Sequence, residues 1–223
     1  MTGKFMITLR YLREIGACSE GRSAFEKAFP DGGEYQAVLD KCAEEGRMDF
    51  ASWLLHKVGS TDDVRTYEEQ INDENMSICF AGALIFKKGA RVKRIEAGLR
   101  IEAGLGIEAG EGIEAGWGIK AGLGIEAGEG IKAGWGIEAG WGIKAGLGIE
   151  AGEGIKAGWG IEAGEGYGIF AGLKIKLSNW SLYARVSASC KPTNLISGYW
   201  VESENRNDAN GTAKNGTCQS EGD

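Results

Sequence analysis

The sequence is poor in the residues that build catalytic and metal sites, and it lacks the signals that direct a chain to a membrane. It has one histidine, His56, two prolines and no C-x-x-C pair among its five cysteines. It has no apolar run of about eighteen residues, and its start lacks the basic-then-apolar pattern of a secretion signal. We therefore expect a cytoplasmic protein with reduced thiols, no membrane contact, no catalytic or metal site and no cofactor.

Glycine, in contrast, is abundant, with 38 residues, most of them in one repeat. From Ile95 to Gly166 the chain repeats the unit Ile-Glu/Lys-Ala-Gly-x-Gly twelve times without a break, except that Arg100 replaces the last glycine of the first unit, and we call this unit the hexad. A period of six does not match a helix of about 3.6 residues per turn, and collagen needs glycine at every third position. Strand alternation would send Ile and Ala to one side and Glu or Lys to the other. The repeat therefore predicts a β-solenoid with Ile and Ala inside.

The charged residues of the hexads indicate how many of them complete one coil. From Ile113 to Ile161 the residue after each isoleucine alternates between Glu and Lys. In a coil of three hexads, Glu114 would lie beside Lys132 and Lys120 beside Glu138, so that every column alternates in charge. A coil of two hexads would stack like charges about 4.8 Å apart, which is unfavourable. The pattern predicts a triangular coil of about eighteen residues, and a flat coil of about twelve residues stays the alternative.

The chain before the repeat has apolar residues at helical spacing, so the expected fold class is α+β. A small helical domain over residues 1–75 would precede the solenoid, and His56, beside Trp53 and Leu54, would have a structural role within it. The expected helices lie in 5–15, from Ser23, over 34–45, over 49–58 and from Thr61.

The residues flanking the hexads diverge from the repeat, which is typical of the ends of a solenoid because terminal repeats cover an open core. One flank contains a basic belt without any acidic residue. The expected segments are a capping coil with this belt over 76–94, the hexad solenoid over 95–176, a closing strand or hairpin over 177–202 and a disordered tail over 203–223.

The x position of the hexad is Leu, Trp or Glu, so it must face water at a corner. With eighteen residues per coil, Trp117 stacks on Trp135, and Trp141 stacks on Trp159. Exposed aromatic residues tend to mark binding surfaces, although these pairs could serve only to stiffen the coil. The candidate binding residues are these four tryptophans, the third-corner row Glu111, Glu129 and Glu165, and the belt residues Lys87, Lys88 and Arg91.

The run Ile-Glu/Lys-Ala-Gly over residues 78–176 resembles the Gly-rich repeats of polymer-forming β-helix proteins of the bactofilin type. That resemblance implies a right-handed β-helix and end-to-end filaments. Hexapeptide-repeat acyltransferases also use a triangular β-helix, but their catalytic histidine lies in the coils, where this chain has none. The whole arrangement, an acidic helical start followed by a near-identical hexad tract, resembles uncharacterised proteins of phages and prophages.

The net charge is −7, so the chain is not expected to bind nucleic acid directly. We expect a non-catalytic binding protein, phage-encoded, that engages or inhibits a host protein, with homodimerisation as a second property. A self-assembling filament scaffold and a nucleic-acid mimic that blocks a host defence enzyme are the alternatives.

Overall fold

A computed structural model describes residues 5–202, in which a helical domain precedes a long β-solenoid. The predicted tail over 203–223 lies outside the described residues. The helices of the N-terminal domain are α1 (Leu9–Glu14), α2 (Ser19–Ala28), α3 (Tyr35–Glu44) and α4 (Met48–Val58). A short antiparallel pair, β1 (Met6–Ile7) and β2 (Gly33–Glu34), joins the start of the chain to the α2–α3 turn.

Apolar helix faces form the core of this domain, as the spacing predicts. Leu12, Phe25, Leu39 and Leu54 are all buried. The Thr8 hydroxyl accepts a hydrogen bond from the Tyr11 N–H at 3.1 Å and caps α1. Within residues 5–202, no helix is long and apolar enough to cross a membrane.

The helix predicted from Thr61 is wrong. The chain there forms the strands β3 (Val64–Tyr67) and β4 (Ile71–Phe80), which pair in parallel with the following coil. Their β-branched and aromatic residues suit a pleated surface, and the pairing with the next coil satisfies their backbone groups. The solenoid therefore begins at Val64, and the predicted capping coil over 76–94 belongs to its first two coils.

The hexads form strands of three residues, Ile-Glu/Lys-Ala. The strands that follow β4 are β5 (Ala83–Phe86), β6 (Ala90–Ala97), β7 (Ile101–Ala103), β8 (Ile107–Ala109), β9 (Ile113–Ala115), β10 (Ile119–Ala121), β11 (Ile125–Ala127), β12 (Ile131–Ala133), β13 (Ile137–Ala139), β14 (Ile143–Ala145), β15 (Ile149–Ala151), β16 (Ile155–Ala157), β17 (Ile161–Ala163) and β18 (Ile169–Phe170).

The strand register confirms the coil of about eighteen residues. Ile119 pairs in parallel with Ile101 on one side and Ile137 on the other, so partners lie eighteen positions apart. A flat twelve-residue coil would have paired Ile119 with Ile131 instead. Three stacks of strands result, and each stack is one face of the solenoid.

We name the faces by their strands. Face A contains β3, β5, β7, β10, β13 and β16, face B contains the first halves of β4 and β6 with β8, β11, β14 and β17, and face C contains their second halves with β9, β12, β15 and β18.

The solenoid interior consists of the isoleucine and alanine side chains, as predicted. Every hexad isoleucine from Ile95 to Ile161 is buried. At the start of the solenoid Tyr67 stacks on Phe86 with 5.1 Å between ring centroids, and the Arg65 guanidinium lies 4.5 Å above the Phe80 ring. Larger side chains therefore close the first coils, where no earlier coil covers the thin Ile/Ala core.

The predicted closing segment continues the coil instead of forming a hairpin. After a short 3-10 turn (Leu177–Asn179) and α5 (Trp180–Tyr183), β19 (Arg185–Ala188) and β21 (Tyr199–Glu202) extend face A, and β20 (Leu195–Ser197) extends face C. All three pair in parallel, so they add coils, whereas a hairpin needs antiparallel strands.

The cysteines only partly follow the expectation of reduced thiols. Cys18, Cys42 and Cys79 are free, whereas Cys190 is disulfide-bonded. The expectation of reduced thiols is therefore wrong for Cys190, because a spacing pattern in the sequence alone does not reveal which cysteines are bonded.

Candidate binding surfaces

The corner between faces C and A carries a ladder of two tryptophans. The Trp135 N–H donates to the Trp117 carbonyl at 2.8 Å, which holds the two residues one coil apart. Their indole rings are parallel within 2°, with centroids 5.0 Å apart. Buried Leu99 precedes them in the same row and Glu153 follows. The predicted stacking is confirmed for this pair, which we call the 117/135 ladder.

The corner between faces A and B carries a second ladder, formed by Trp141 and Trp159. These rings lie 5.7 Å apart with an interplanar angle of 8°, and Leu123 precedes them in the row. We call this pair the 141/159 ladder. The four tryptophans of both ladders are 40–65% exposed, so stacking leaves much of each ring in contact with solvent.

The third corner, between faces B and C, differs from its prediction. Glu129 lies above Glu111 as expected, and Leu147 follows. Glu165 does not continue this row, because the extra residues near Gly166 shift the register. The Gly164 N–H binds the Leu147 carbonyl at 3.0 Å, and Glu165 lines the groove beside the 141/159 ladder.

Charged columns run along the faces with the predicted alternation. Lys120 pairs with Glu138 at 3.6 Å, and Lys156 approaches the same Glu138 carboxylate at 3.5 Å. On face C, Lys132 lies 4.0 Å from Glu114. Each exposed pair contributes only about 0.2–1 kcal/mol, but all of them favour one register.

The basic belt does not form a free cationic patch. Lys88 pairs with Glu69, Arg91 lies 2.9 Å from Glu74 and 3.3 Å from Glu108, and Lys93 lies 3.3 Å from Glu111. Arg94 lies 3.7 Å from Glu96. Lys87 donates its backbone N–H to the Tyr67 carbonyl at 2.9 Å. Neighbouring coils therefore neutralise most of the belt, which weakens it as an anion site.

Two open grooves lie beside the ladders. The groove on face A has a volume of about 670 Å³ and is lined by the 117/135 ladder, Arg100, Lys120, Glu138 and Arg185. The groove on face B has a volume of about 710 Å³ and is lined by the 141/159 ladder, Glu126, Lys144 and Glu162. Each groove combines exposed indole edges with both signs of charge.

The sequence analysis missed a buried acidic residue, Glu96, between the helical domain and the solenoid. Its side chain is 1% exposed, and neither carboxylate oxygen has a partner in hydrogen-bonding geometry among the described residues. Burial raises its pKa, and the nearby Ser52 hydroxyl and Arg94 only partly oppose this effect. Every later hexad carries its acid or base at the same position facing solvent, so the repeat alone could not reveal it.

Glu96 lines a cavity of about 210 Å³ together with His56 and Glu114. His56 lies 4.0 Å from Glu114, and its Nδ1 is 2.8 Å from the Ser52 carbonyl. No group of three His, Cys, Asp or Glu side chains within residues 5–202 could hold a metal ion. These contacts join α4 to face C, and the structural role of His56 stays a prediction.

The fold and surfaces together define a parallel β-solenoid protein of about eight coils with a helical domain at its start. Residues 1–61 match the family described as the YdhT N-terminal domain. The match ends between α4 and β3, where the helical domain gives way to the solenoid. No curated protein and no solved structure matches the chain.

Proposed function

We propose that the protein is a non-catalytic binding protein that holds another protein along face B and the 141/159 ladder. The observation that carries this proposal is the exposed, stacked Trp141–Trp159 pair beside a groove of about 710 Å³. Tryptophan is enriched among the residues that dominate binding energy at protein interfaces.

The rigidity of the ladder favours tight binding. Stacking restricts the rotation of both indole rings before a partner arrives, so little side-chain entropy is lost on association. Backbone hydrogen bonds to the neighbouring coils hold Trp141 and Trp159 from below and above. A partner would therefore meet a preformed surface.

The chemistry of the groove favours a protein partner over a nucleic acid. Lys144 lies between Glu126 and Glu162 in the column on face B, so both signs of charge recur within each two coils. Such alternation complements a protein surface of mixed charge, whereas nucleic acid requires a basic surface. Nucleic-acid mimicry is also poorly supported, because lysines interrupt the acidic columns.

The thiols nearest the domain interface support a non-catalytic role. Burial raises the pKa of Cys42 to about 11 and raises that of Cys79 further. Both thiols stay protonated at neutral pH, and a thiol is a much weaker nucleophile than a thiolate. In its specific form, the proposal is that the protein is phage-encoded and that its partner is a host protein in the cytoplasm. The resemblance to phage proteins supports this form.

The proposal is tested by crosslinking and mass spectrometry in cells that produce the protein. Replacing Trp141 and Trp159 together by serine should lower recovery of the partner at least tenfold. The matched control replaces Trp117 and Trp135 by serine, which removes the same number of indoles from the other ladder. Equal recovery with both variants, or no protein crosslinked to wild type, would reject the proposal.

A filament-forming scaffold is the second candidate function. Strands β3 and β21 are the end strands of the eight-stranded sheet in the described part of the chain, so each has an edge to which another strand could add. Electron microscopy at increasing protein concentration tests this candidate. Filaments that lengthen with concentration would support it, and a fixed small particle would contradict it.

A further inference from the structure

The outward side chains of face A form a column along the solenoid. When this column is read in the reverse direction, each charged position has the opposite charge. Each of the eight strands of this face contributes one such side chain in register with its neighbours. In order along the solenoid they are Thr66, Ile85, Glu102, Lys120, Glu138, Lys156, Ser187 and Val201.

The four charged residues at the centre of face A read acid, base, acid, base. Reversing this order exchanges every acid for a base. A two-fold axis along the strands, between Lys120 and Glu138, therefore puts Lys120 opposite Glu138 of a second copy, and Glu102 opposite Lys156. A two-fold interface uses the same surface on both copies, so all four contacts pair opposite charges. The neutral ends of the face meet each other.

The other two faces lack this property. On face B the same operation would oppose Glu108 to Glu162, which repel each other. On face C it would oppose Glu96 to Glu150, and Glu96 is buried beneath α4. Of the three faces, only face A has outward strand charges that all meet opposite charges of a second copy.

The charges of face A also select the relative direction of the two copies. An axis parallel to the solenoid would put Glu138 opposite Glu138 and Lys120 opposite Lys120, and like charges at an interface are unfavourable. The antiparallel arrangement avoids these contacts. The two solenoids would therefore run in opposite directions.

The antiparallel arrangement brings the apolar edges of the two copies together. Because the axis runs along the strands, the corner between faces C and A of one copy meets the same corner of the other. Trp117 lies in the coil row of Lys120 and Trp135 in that of Glu138, so Trp117 faces Trp135 of the second copy. This contact adds apolar burial where charge pairs alone would contribute little.

The size of face A is sufficient for a stable dimer. Eight strands spaced about 4.8 Å apart extend roughly 38 Å, and a hexad with its corner is roughly 20 Å wide. The product, roughly 760 Å², is close to the surface of about 800 Å² that each partner buries in a standard interface. The four central charged side chains are 43–66% exposed and so available for contact.

We propose that face A is the interface of an antiparallel two-fold homodimer, held by the Lys120–Glu138 and Glu102–Lys156 pairs between copies and by the 117/135 ladders. The four central charges of face A lie outside the groove of the 141/159 ladder, so different substitutions test the dimer and the protein partner proposed above, and each can fail independently.

A charge-exchange experiment with sedimentation velocity tests the homodimer. In a dimer of the Lys120→Glu variant, the new glutamate of each copy lies opposite Glu138 of the other, which gives two like-charge contacts. A dimer of the Glu138→Lys variant likewise has two contacts between lysines. Each variant should self-associate at least tenfold more weakly than wild type. An equimolar mixture of the two variants should recover the wild-type dimer, because the mixed pair has only opposite charges in contact.

The matched control is Lys144→Glu, which makes the same change between two glutamates on face B. It should dimerise like wild type, and circular dichroism should show equal folding of all variants. A wild-type monomer at every concentration, a dimer unaffected by Lys120→Glu, or a mixture that stays monomeric would each overturn the proposal. Replacing Trp117 and Trp135 by serine should also weaken the dimer, without restoration by any charge variant.

Discussion

Glu96 occupies the hexad position that faces solvent in later coils, yet α4 covers it. The helix carries Ser52 and His56 to this part of face C, and the neighbouring residue in the column is Glu114. A buried carboxylate without a hydrogen-bonded partner costs about 1–3 kcal/mol or more when it is charged. The position therefore lowers the stability of the folded protein at neutral pH.

Glu96→Gln should raise the free energy of unfolding at pH 7 by about 1–2 kcal/mol, because the burial of the charge outweighs its 3.7 Å contact with Arg94, and glutamine keeps the shape of the side chain. Thermal unfolding followed by circular dichroism measures the change. Glu150→Gln is the matched control, since Glu150 has the same hexad position on face C, away from α4. An equal effect of the two substitutions would contradict this account.

The same residue predicts a pH dependence with a defined sign. Burial raises the pKa of Glu96 in the folded state above its unfolded value of about 4.3, so the folded state binds more protons between these two values. The stability that protonated Glu96 contributes is fully present below the pKa of Glu96 in the unfolded state. It is lost as the pH rises through the pKa of Glu96 in the folded state. The advantage of Glu96→Gln should therefore shrink at acidic pH, which unfolding curves from pH 4 to pH 8 would show.

At the scale of the elements, the two glycines of the hexad 137–142 have different roles. A methyl group on Gly140 would overlap the Gly122 carbonyl oxygen in the preceding coil. At Gly142, two residues later in the same corner, the nearest atom is the Gly160 carbonyl oxygen at 3.5 Å, an ordinary contact. In this hexad, as in most of the others, the first glycine is the one that permits the close approach of consecutive coils.

Gly140→Ala should lower the free energy of unfolding by about 2–3 kcal/mol, since the coils must separate to admit the methyl group. Gly142→Ala should leave it unchanged or raise it by up to about 1 kcal/mol, because alanine restricts the unfolded chain. Urea unfolding of the two variants measures the difference. Equal destabilisation by both would show that coil contact is not the reason for the first glycine.

The Glu/Lys alternation favoured the correct coil over the twelve-residue alternative, because eighteen residues per coil put Lys132 beside Glu114 and twelve would put Glu126 there. It also predicted both tryptophan ladders. The strands at Val64 and Ile71 could not be predicted locally, because their pairing partners lie in the next coil. The position of Glu165 depended on a register shift at Gly166, and the burial of Glu96 depended on packing between domains.

At the scale of the whole molecule, a two-pronged ion pair between Arg65 and Asp40 links the helical domain to the open start of the solenoid. Arg65 donates to both carboxylate oxygens of Asp40 on α3, at 2.8 and 2.7 Å, and its guanidinium covers Phe80. The Gln36 side chain also bonds to the Cys79 carbonyl and the Ala81 N–H, each at 2.9 Å. Cys79 and Ala81 belong to the hydrophobic core of the helical domain, so the two units share buried surface.

Arg65→Ala should therefore lower the stability of both units and separate their unfolding. It leaves Asp40 without its partner and exposes Phe80 at the end of the core, which together should cost about 1–3 kcal/mol for a half-buried pair. Wild type should unfold in one transition, followed by circular dichroism and by tryptophan fluorescence, with Trp53 replaced by phenylalanine in all variants because it is the one tryptophan of the sequence before the solenoid. In Arg65→Ala the helical signal should be lost at a lower temperature than the fluorescence signal of the solenoid. The control is Arg10→Ala, which removes an exposed ion pair within α1 and should change neither unfolding transition. Coincident transitions in Arg65→Ala would contradict the prediction and would mean that the shared apolar surface alone couples the two units.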